Sequence, residues 1–168
     1  MHLCHEPEGR WKDKEEKAIH IYCALREQVR HHEGIRTQMY LDTLGKATIG
    51  IGHLVLPHER ERYAEGVEIS MEEVEELFDI DLNRAAAGAD ELVAEKIGHY
   101  LPQVIGEVLV NMCFQLGKNG VSKFKNMFRC MKEGDWEGAA FQMKDSRWHK
   151  QTPNRCEELA SIVANYKE

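Results

Sequence analysis

The spacing of apolar residues changes at Gly34, and this change decides what the chain can form on either side of it. No Pro or Gly lies between residues 12 and 32, and apolar residues recur at positions 21, 25 and 29. This four-residue spacing is typical of an amphipathic helix. We therefore expect a helix from about Asp13 to Glu33, ended by Gly34.

Beyond Gly34 apolar and polar residues alternate as far as Asp42, which predicts a strand. The next residues, Asp42-Thr43-Leu44-Gly45, are typical of a hairpin turn. Residues 47–52 predict the returning strand, with glycines where the backbone must approach a neighbour closely. We expect a third short strand near residues 67–69. The helix end and the hairpin would together bring Glu33 and Asp42 to one cleft.

Glu33 and Asp42 are candidate catalytic acids because their surroundings should favour different protonation states. At a helix C-terminus the negative end of the dipole disfavours a charged carboxylate, which suits Glu33 to proton donation. Asp42 stands in a turn with free backbone N–H groups, which favour a carboxylate that acts as a base or nucleophile. Two such groups are typical of glycoside hydrolysis. The spacing alone leaves open the simpler interpretation that both are surface acids.

Two separated blocks of residues carry a more specific pattern. The first comprises Glu33-Gly34, Tyr40, Asp42-Thr43, Gly45 and Thr48-Ile49-Gly50-Ile51-Gly52-His53. The second comprises Asn111-Met112, Phe114-Gln115, Gly117, Gly120-Val121, Ser146-Arg147-Trp148 and Gln151-Thr152-Pro153-Asn154-Arg155. Together, and in this order, they closely resemble the T-even phage lysozymes, glycoside hydrolase family 24. The resemblance extends from about Leu25 to about Tyr166.

The resemblance implies a mostly helical α+β fold with a small β-hairpin lobe and a larger helical lobe. It also implies an enzyme that cleaves the β-1,4 bond between N-acetylmuramic acid and N-acetylglucosamine in bacterial cell-wall peptidoglycan. Glu33 matches the family's acid, while Asp42 and Thr48 match the residues that hold the attacking water. The reaction would then invert the anomeric carbon, and it would require no cofactor and no metal.

Five further residues match positions that contact the substrate in this family. Leu54, Phe114 and Gln115 match positions that line the cleft and contact sugar. Met127 and Gln142 stand where the phage members carry a serine and an asparagine. A larger apolar side chain at Met127 would narrow the sugar site or alter its polarity.

Three residues are expected to support the site by pairing with others. Asp81 lies in the apolar stripe of a predicted helix, where an unpaired carboxylate would be costly to bury. The resemblance pairs it with His53, although an aspartate at the margin of the stripe is the alternative. Arg155 lies in the first turn of a helix, where the dipole opposes a cation. The resemblance pairs this arginine with Glu33.

The chain of 168 residues has the length of one domain. We expect an N-terminal extension that includes the start of the first helix (1–24), a small β-containing lobe (34–69), an inter-lobe helix (70–89) and a helical lobe (90–168). A capping box at residues 70–73 predicts that the inter-lobe helix spans 71–87. Helices are then expected at 92–100, 102–117, 122–132 and 136–143, with a turn at 146–150. The final helix is expected from Pro153 to about Asn165, with Thr152 as its N-cap.

The formal net charge of −7 argues against a nucleic-acid partner, because phosphate binding requires clustered Lys and Arg. The same charge would weaken attraction to an anionic cell wall unless the cleft is locally basic. No apolar run is long enough to span a membrane, and no secretory signal is visible. We expect a monomer that is made in the cytoplasm and acts on the periplasmic or extracellular cell wall.

The five cysteines form no CxxC pair, so reduced thiols are expected. His2, Cys4 and His5 would offer metal ligands, but a disordered terminus explains them more simply.

Two other functions are compatible with these motifs. A lytic transglycosylase needs one acid and no water-activating carboxylate, so the presence of Asp42 and Thr48 argues against it. A non-catalytic wall-binding or structural domain is suggested by the acidic charge and by the altered positions Met127 and Gln142. A lysis assay separates this second alternative from the hydrolase.

Overall fold

The computed structural model describes residues 15–168, with side chains from Cys23 onward. Over this range the chain forms seven α-helices, one short 3-10 helix and a three-stranded antiparallel sheet. The predicted mostly helical α+β fold is thus confirmed. The start of the first helix and the predictions for His2, Cys4 and His5 lie outside the described residues.

The elements follow one another in the order helix, sheet, then helices. They are α1 (Glu15–Glu33), β1 (Arg36–Leu41), β2 (Ala47–Gly50), β3 (His53–Leu54), the 3-10 helix (Pro57–Glu59), α2 (Met71–Lys96), α3 (Gln103–Ser122), α4 (Lys125–Glu133), α5 (Trp136–Lys144), α6 (Arg147–Gln151) and α7 (Pro153–Ala164).

The contacts divide the chain into two compact units. One, here called the β unit, is Arg26–Arg84. The other, the helical unit, is Ala85–Glu168 together with the described part of the chain before Arg26. The proposal that all 168 residues act as one lysozyme-like domain stays a prediction.

In the β unit, α1 ends where the sequence predicts. Gly34 adopts φ +72°, a left-handed conformation that favours glycine, and its N–H donates to Arg30 O at 2.9 Å. The chain then enters β1, which pairs with β2 in antiparallel fashion. The register shifts between Arg36 and Tyr40, and here the predicted alternation breaks. Tyr40 is half-buried whereas Leu41 is 65% exposed.

The third strand is not where the sequence predicts it. β3 lies at His53–Leu54, directly after the turn that follows β2, and it pairs with Thr48 and Ile49. Near residues 67–69 the structure has only an isolated bridge between Glu68 and Gln38. The predicted position of the third strand was therefore wrong. β3 was not predicted because its two residues are too few to show an alternating pattern.

α2 is longer than predicted, since the helices expected at 71–87 and 92–100 form one helix that ends at Lys96. The Ser70 hydroxyl caps the start of this helix, because it accepts a hydrogen bond from Glu73 N at 3.1 Å. Gly88 does not end the helix. A Cβ placed on Gly88 would lie 3.2 Å from Lys118 Cβ, so this glycine allows close packing within the helical unit.

The core of the helical unit is formed mainly by α3, α4, α5 and α7. α3 is interrupted at Gly117, which has φ +71° and ψ 161°, at the residue where the sequence predicts its end. Its largest fully buried side chains are Ile105, Leu109 and Met112. Thr152 is the N-cap of α7, as predicted, but its side chain accepts no hydrogen bond from the helix backbone. The Thr152 hydroxyl instead donates to Trp148 O at 3.4 Å and accepts from Gln115 Nε2 at 3.3 Å.

Cys113, Cys130 and Cys156 are free thiols. Burial raises the pKa of Cys113 to about 12 and that of Cys156 to about 11, so both are unreactive near neutral pH. Among the described residues, no helix is long and apolar enough to cross a membrane. The same part of the chain contains no cluster of His, Cys, Asp or Glu suited to a metal ion.

Candidate active site

Glu33 is the last residue of α1 and is half-buried in the β unit. The backbone of Gly52, in the turn after β2, runs directly against its side chain. A Cβ placed on Gly52 would lie 2.7 Å from Glu33 Oε2 and 2.9 Å from its carboxyl carbon. The helix end and the turn therefore meet at this carboxylate.

Asp42 and Thr48 are held by the same peptide backbone, that of Lys46. The Asp42 Oδ1 atom accepts hydrogen bonds from Leu44 N and Lys46 N, both at 2.8 Å. The Thr48 hydroxyl donates to Lys46 O at 3.1 Å, and Thr48 is only 5% exposed. The tight hairpin turn thus holds both side chains with local hydrogen bonds.

Tyr40 lies at the same site, although sequence reasoning gave it no role. It pairs with Thr48 across the two strands, so the two side chains project from the same face of the sheet. Burial raises the pKa of Tyr40, and the charge of Glu33 and, more weakly, that of Asp42 raise it further, against the effect of Arg36. The charges of both carboxylates therefore influence the pKa of the Tyr40 hydroxyl. The predicted hairpin, with Tyr40 two residues before Asp42, contained the signal for this placement.

His53 is almost fully buried between two carboxylates. Its Nδ1 lies 2.7 Å from Asp81 Oδ2, which is the expected pairing, and its Nε2 lies 3.0 Å from Glu59 Oε2. Carboxylates only accept hydrogen bonds, so this arrangement favours the imidazolium form, in which both ring nitrogens can donate. Burial alone would lower the pKa of His53, but the two hydrogen bonds and charges outweigh it and raise the pKa.

Glu59 is the partner that sequence reasoning missed. Its Oε2 atom also accepts from Leu56 N at 2.9 Å, which fixes the carboxylate over the start of the 3-10 helix. Burial would raise its pKa, but this backbone hydrogen bond and the imidazolium of His53 lower it overall. No local pattern links residues 53 and 59, because the intervening loop determines their contact.

The second block of predicted residues lies in the helical unit. Arg155, in the first turn of α7, is buried, and its Nε and Nη2 donate to Asn111 Oδ1 at 2.9 and 2.7 Å. Gln115 accepts from Trp148 Nε1 at 2.8 Å through Oε1. These contacts join α3 to α6 and α7. The pairing of Arg155 with Glu33 stays a prediction.

A cavity of about 450 Å³ in the helical unit is lined by two of the predicted substrate residues. Gln142 is half-buried, while Met127 is fully buried and packs in the core beneath the cavity. The lining includes three cations, Lys123, Lys125 and Arg147, and one carboxylate, Asp145. The cavity is thus locally basic in a chain of net charge −7.

Leu54 and Phe114 complete the predicted substrate residues. Leu54 is on β3, one residue beyond His53, and 46% of it is exposed, which leaves its side chain accessible to a ligand. Phe114 is half-buried on α3. Both roles stay predictions.

The comparison with protein families decides what kind of enzyme carries these residues. The family described as phage lysozyme matches residues 30–164, a range that includes every candidate site residue. The chain belongs to the phage lysozyme family. It is therefore a glycoside hydrolase of the lysozyme type.

Individual relatives agree with this family. The chain is 33% identical over 157 residues to probable T4-type lysozyme 2 of Dictyostelium discoideum. The matched region covers 83% of this chain and 92% of that protein. It is 32% identical over 159 residues to probable T4-type lysozyme 1 of the same organism, with 83% and 93% covered. It is also 35% identical over 159 residues to the pre-baseplate central spike protein Gp5 of Enterobacteria phage T4, over 83% of this chain and 27% of that protein.

Proposed function

We propose that this lysozyme hydrolyses peptidoglycan with Glu33, Asp42 and Thr48 as its catalytic residues. The observation that carries the proposal is the hairpin turn, in which the Lys46 backbone holds both Asp42 and Thr48. The place of Glu33 against Gly52 supports the assignment of the acid. The bond cleaved is the β-1,4 bond between N-acetylmuramic acid and N-acetylglucosamine.

Glu33 donates its proton to the glycosidic oxygen as the bond to the anomeric carbon breaks. Asp42 and Thr48 hold the attacking water. The Thr48 hydroxyl donates its own hydrogen to Lys46 O, so it meets the water as an acceptor. Asp42 is also an acceptor. The two hydrogens of the water then point to Asp42 and Thr48, and its lone pair faces the anomeric carbon.

Atoms and charges balance without a cofactor in this scheme. The water oxygen bonds to the anomeric carbon, and one of its protons passes to Asp42. The leaving oxygen keeps the proton from Glu33. Exchange with solvent then returns a proton to Glu33 and removes one from Asp42.

We further propose that five residues contact the substrate or shape its site. Leu54, Phe114, Gln115 and Gln142 would touch the glycan, while the buried Met127 would shape the cavity from beneath. The enzyme would act as a monomer on the cell wall, outside the cytoplasmic membrane, without nucleic acid. Size-exclusion chromatography with light scattering tests the oligomeric state.

The stereochemistry of the product tests the mechanism. If Asp42 activates water, the first product is the α-anomer, because water attacks the face opposite the β-linked leaving group. Proton NMR of the products formed in the first minutes, before mutarotation, measures it. A β-anomer would show a retaining reaction with a covalent intermediate and would contradict the water-holding role of Asp42 and Thr48.

The basic cavity predicts how lysis depends on salt. Replacing Lys123 and Lys125 by glutamine should slow lysis of permeabilised bacteria by roughly tenfold at low ionic strength, since the lining cations attract an anionic wall. The difference should disappear near 1 M salt, where the screening length is about 3 Å.

The matched control replaces Lys96 and Lys132, two exposed lysines that do not line the cavity, so that net charge is equal. Equal loss in both double variants would show that net charge, rather than the cavity, attracts the wall.

A further inference from the structure

Gly52 and Gly50 share a positive φ but face different surroundings. Gly50 has φ +66° and Gly52 has φ +68°, so any other L-residue is strained at either position. A Cβ on Gly50 would meet Val74 side-chain atoms at 3.7 and 4.0 Å, which is ordinary contact. A Cβ on Gly52 would instead meet three atoms of the Glu33 side chain at 2.7, 2.9 and 3.1 Å.

Distances below 3 Å between non-bonded carbon and oxygen atoms are not tolerated, so one group must move. The backbone of Gly52 is fixed on both sides, because β2 precedes it and β3 follows it directly. The contacts are with the end of the Glu33 side chain, which can change its rotamer. A side chain at position 52 would therefore displace the carboxylate rather than the turn.

We propose that Gly52 is a positioning residue for the proton donor, and that its missing side chain sets the place of the Glu33 carboxylate. This inference rests on the proposed catalytic role of Glu33. The glycine has no side chain that could exchange a proton with the substrate. It leaves space for the carboxylate beside the turn, and a displacement of about 1 Å in such a group costs on the order of 10²-fold in rate.

The test compares Gly52→Ala with Gly50→Ala and Glu33→Gln in the full chain. The two alanine variants share the strain of a positive φ, so their melting temperatures should fall by similar amounts. Initial rates of lysis of permeabilised bacteria should fall about 100-fold further in Gly52→Ala than in Gly50→Ala. The alkaline limb of the pH–rate profile, which reports ionisation of the proton donor, should move in Gly52→Ala alone.

A second comparison separates crowding from general damage. Glu33→Asp shortens the acid by one methylene and gives a Cβ at position 52 more room. We expect the loss caused by Glu33→Asp to be at least threefold smaller in the Gly52→Ala background than in the wild type. Independent, multiplicative losses would contradict a direct contact between these two residues.

The remaining outcomes are also decisive. If Gly52→Ala lyses bacteria as fast as Gly50→Ala, Gly52 serves only the turn and the inference fails. If Gly52→Ala unfolds where Gly50→Ala stays folded, the contact supports the fold and the inference also fails. If Glu33→Gln keeps wild-type activity, the proposed function itself fails, whichever result Gly52→Ala gives.

Discussion

Replacement of Glu33 by glutamine is expected to abolish cell-wall lysis while the fold stays intact. The amide has nearly the shape of the carboxyl group but has no acidic proton to give to the leaving oxygen. General acid catalysis contributes about 10²–10⁴-fold in rate, and the loss should be at least of this size. Initial rates of turbidity loss with permeabilised bacteria measure it, with circular dichroism and melting temperature as checks of folding.

Glu27→Gln is the matched control, since Glu27 lies on the same helix and its side chain is 74% exposed. It pairs with Arg30 at 3.5 Å in an exposed i,i+3 contact, which is worth little. Its lysis rate should stay within about twofold of wild type, as expected for an exposed pair worth about 0.3–0.5 kcal/mol. Lysis by Glu33→Gln at the rate of this control would remove Glu33 from the mechanism.

The same assay addresses the two alternative functions. A wall-binding domain without catalysis would bind permeabilised bacteria without lowering their turbidity. A lytic transglycosylase would lower it but leave anhydro-muramic ends, which mass spectrometry identifies by the loss of one water. Products with reducing ends and the added water are expected here.

The parts of the site that the sequence predicts well are those determined by neighbours along the chain. The helix end at Glu33 follows from the break at Gly34, and the turn at Asp42 follows from short-range hydrogen bonds to residues 44 and 46. Chain connectivity alone therefore places Asp42 and Thr48 together. The glycines were predicted inside a returning strand of residues 47–52, whereas β2 ends at Gly50 and Gly52 lies in the turn that follows.

Contacts between distant residues were harder to predict. The Arg26 and Arg30 side chains of α1 pair with Glu75 on α2 and lie over the ring of Phe78, at 4.7 and 5.4 Å from its centre. The sequence shows an apolar stripe on each helix but not which charges meet beside it. The same holds for Glu59, which reaches His53 only because the 3-10 helix turns back toward the ring.

Burial was the property that sequence patterns predicted least well at single positions. Met127 is a predicted substrate residue, yet its side chain is fully buried on α4. Leu41 and Leu44 are apolar by composition but 65% and 71% exposed beside Asp42, because a hairpin tip has no interior to bury them. Tertiary packing, rather than residue type, decides these cases.

His53 should contribute most to stability in mildly acidic solution, as the signs of two pKa shifts show. The folded pKa of His53 is raised above its ordinary 6.5, so its contribution is complete below pH 6.5 and is lost as pH rises through the folded value. The folded pKa of Glu59 is lowered below 4.5, so its contribution is complete above pH 4.5 and is lost as pH falls through the folded value. Both contributions are complete between pH 4.5 and 6.5.

Asp81→Asn is therefore expected to lower the melting temperature most within this window. The asparagine keeps a hydrogen-bond acceptor for Nδ1 but removes the charge, and the ring is only 4% exposed. Because Glu59 still pairs with the ring, the loss is that of one charge-assisted interaction, about 1.5–3 kcal/mol, which corresponds to a fall of at least about 3 °C for a chain of this length. The loss should shrink at alkaline pH, where His53 is neutral in both proteins. Glu59→Gln should act in the same direction, and in each variant NMR titration should give a lower pKa for His53.

Asp79→Asn on the same helix serves as the control, because Asp79 pairs with Arg26 and is 55% exposed. Arginine keeps its charge throughout this range, so the control should lose little stability and show no maximum between pH 4.5 and 6.5. A loss in Asp81→Asn that is equal at every pH would show that His53 and Asp81 are not a charged pair. A His53 titration at the ordinary value of 6.5 in the wild type would lead to the same conclusion, because two adjacent carboxylates must stabilise the imidazolium.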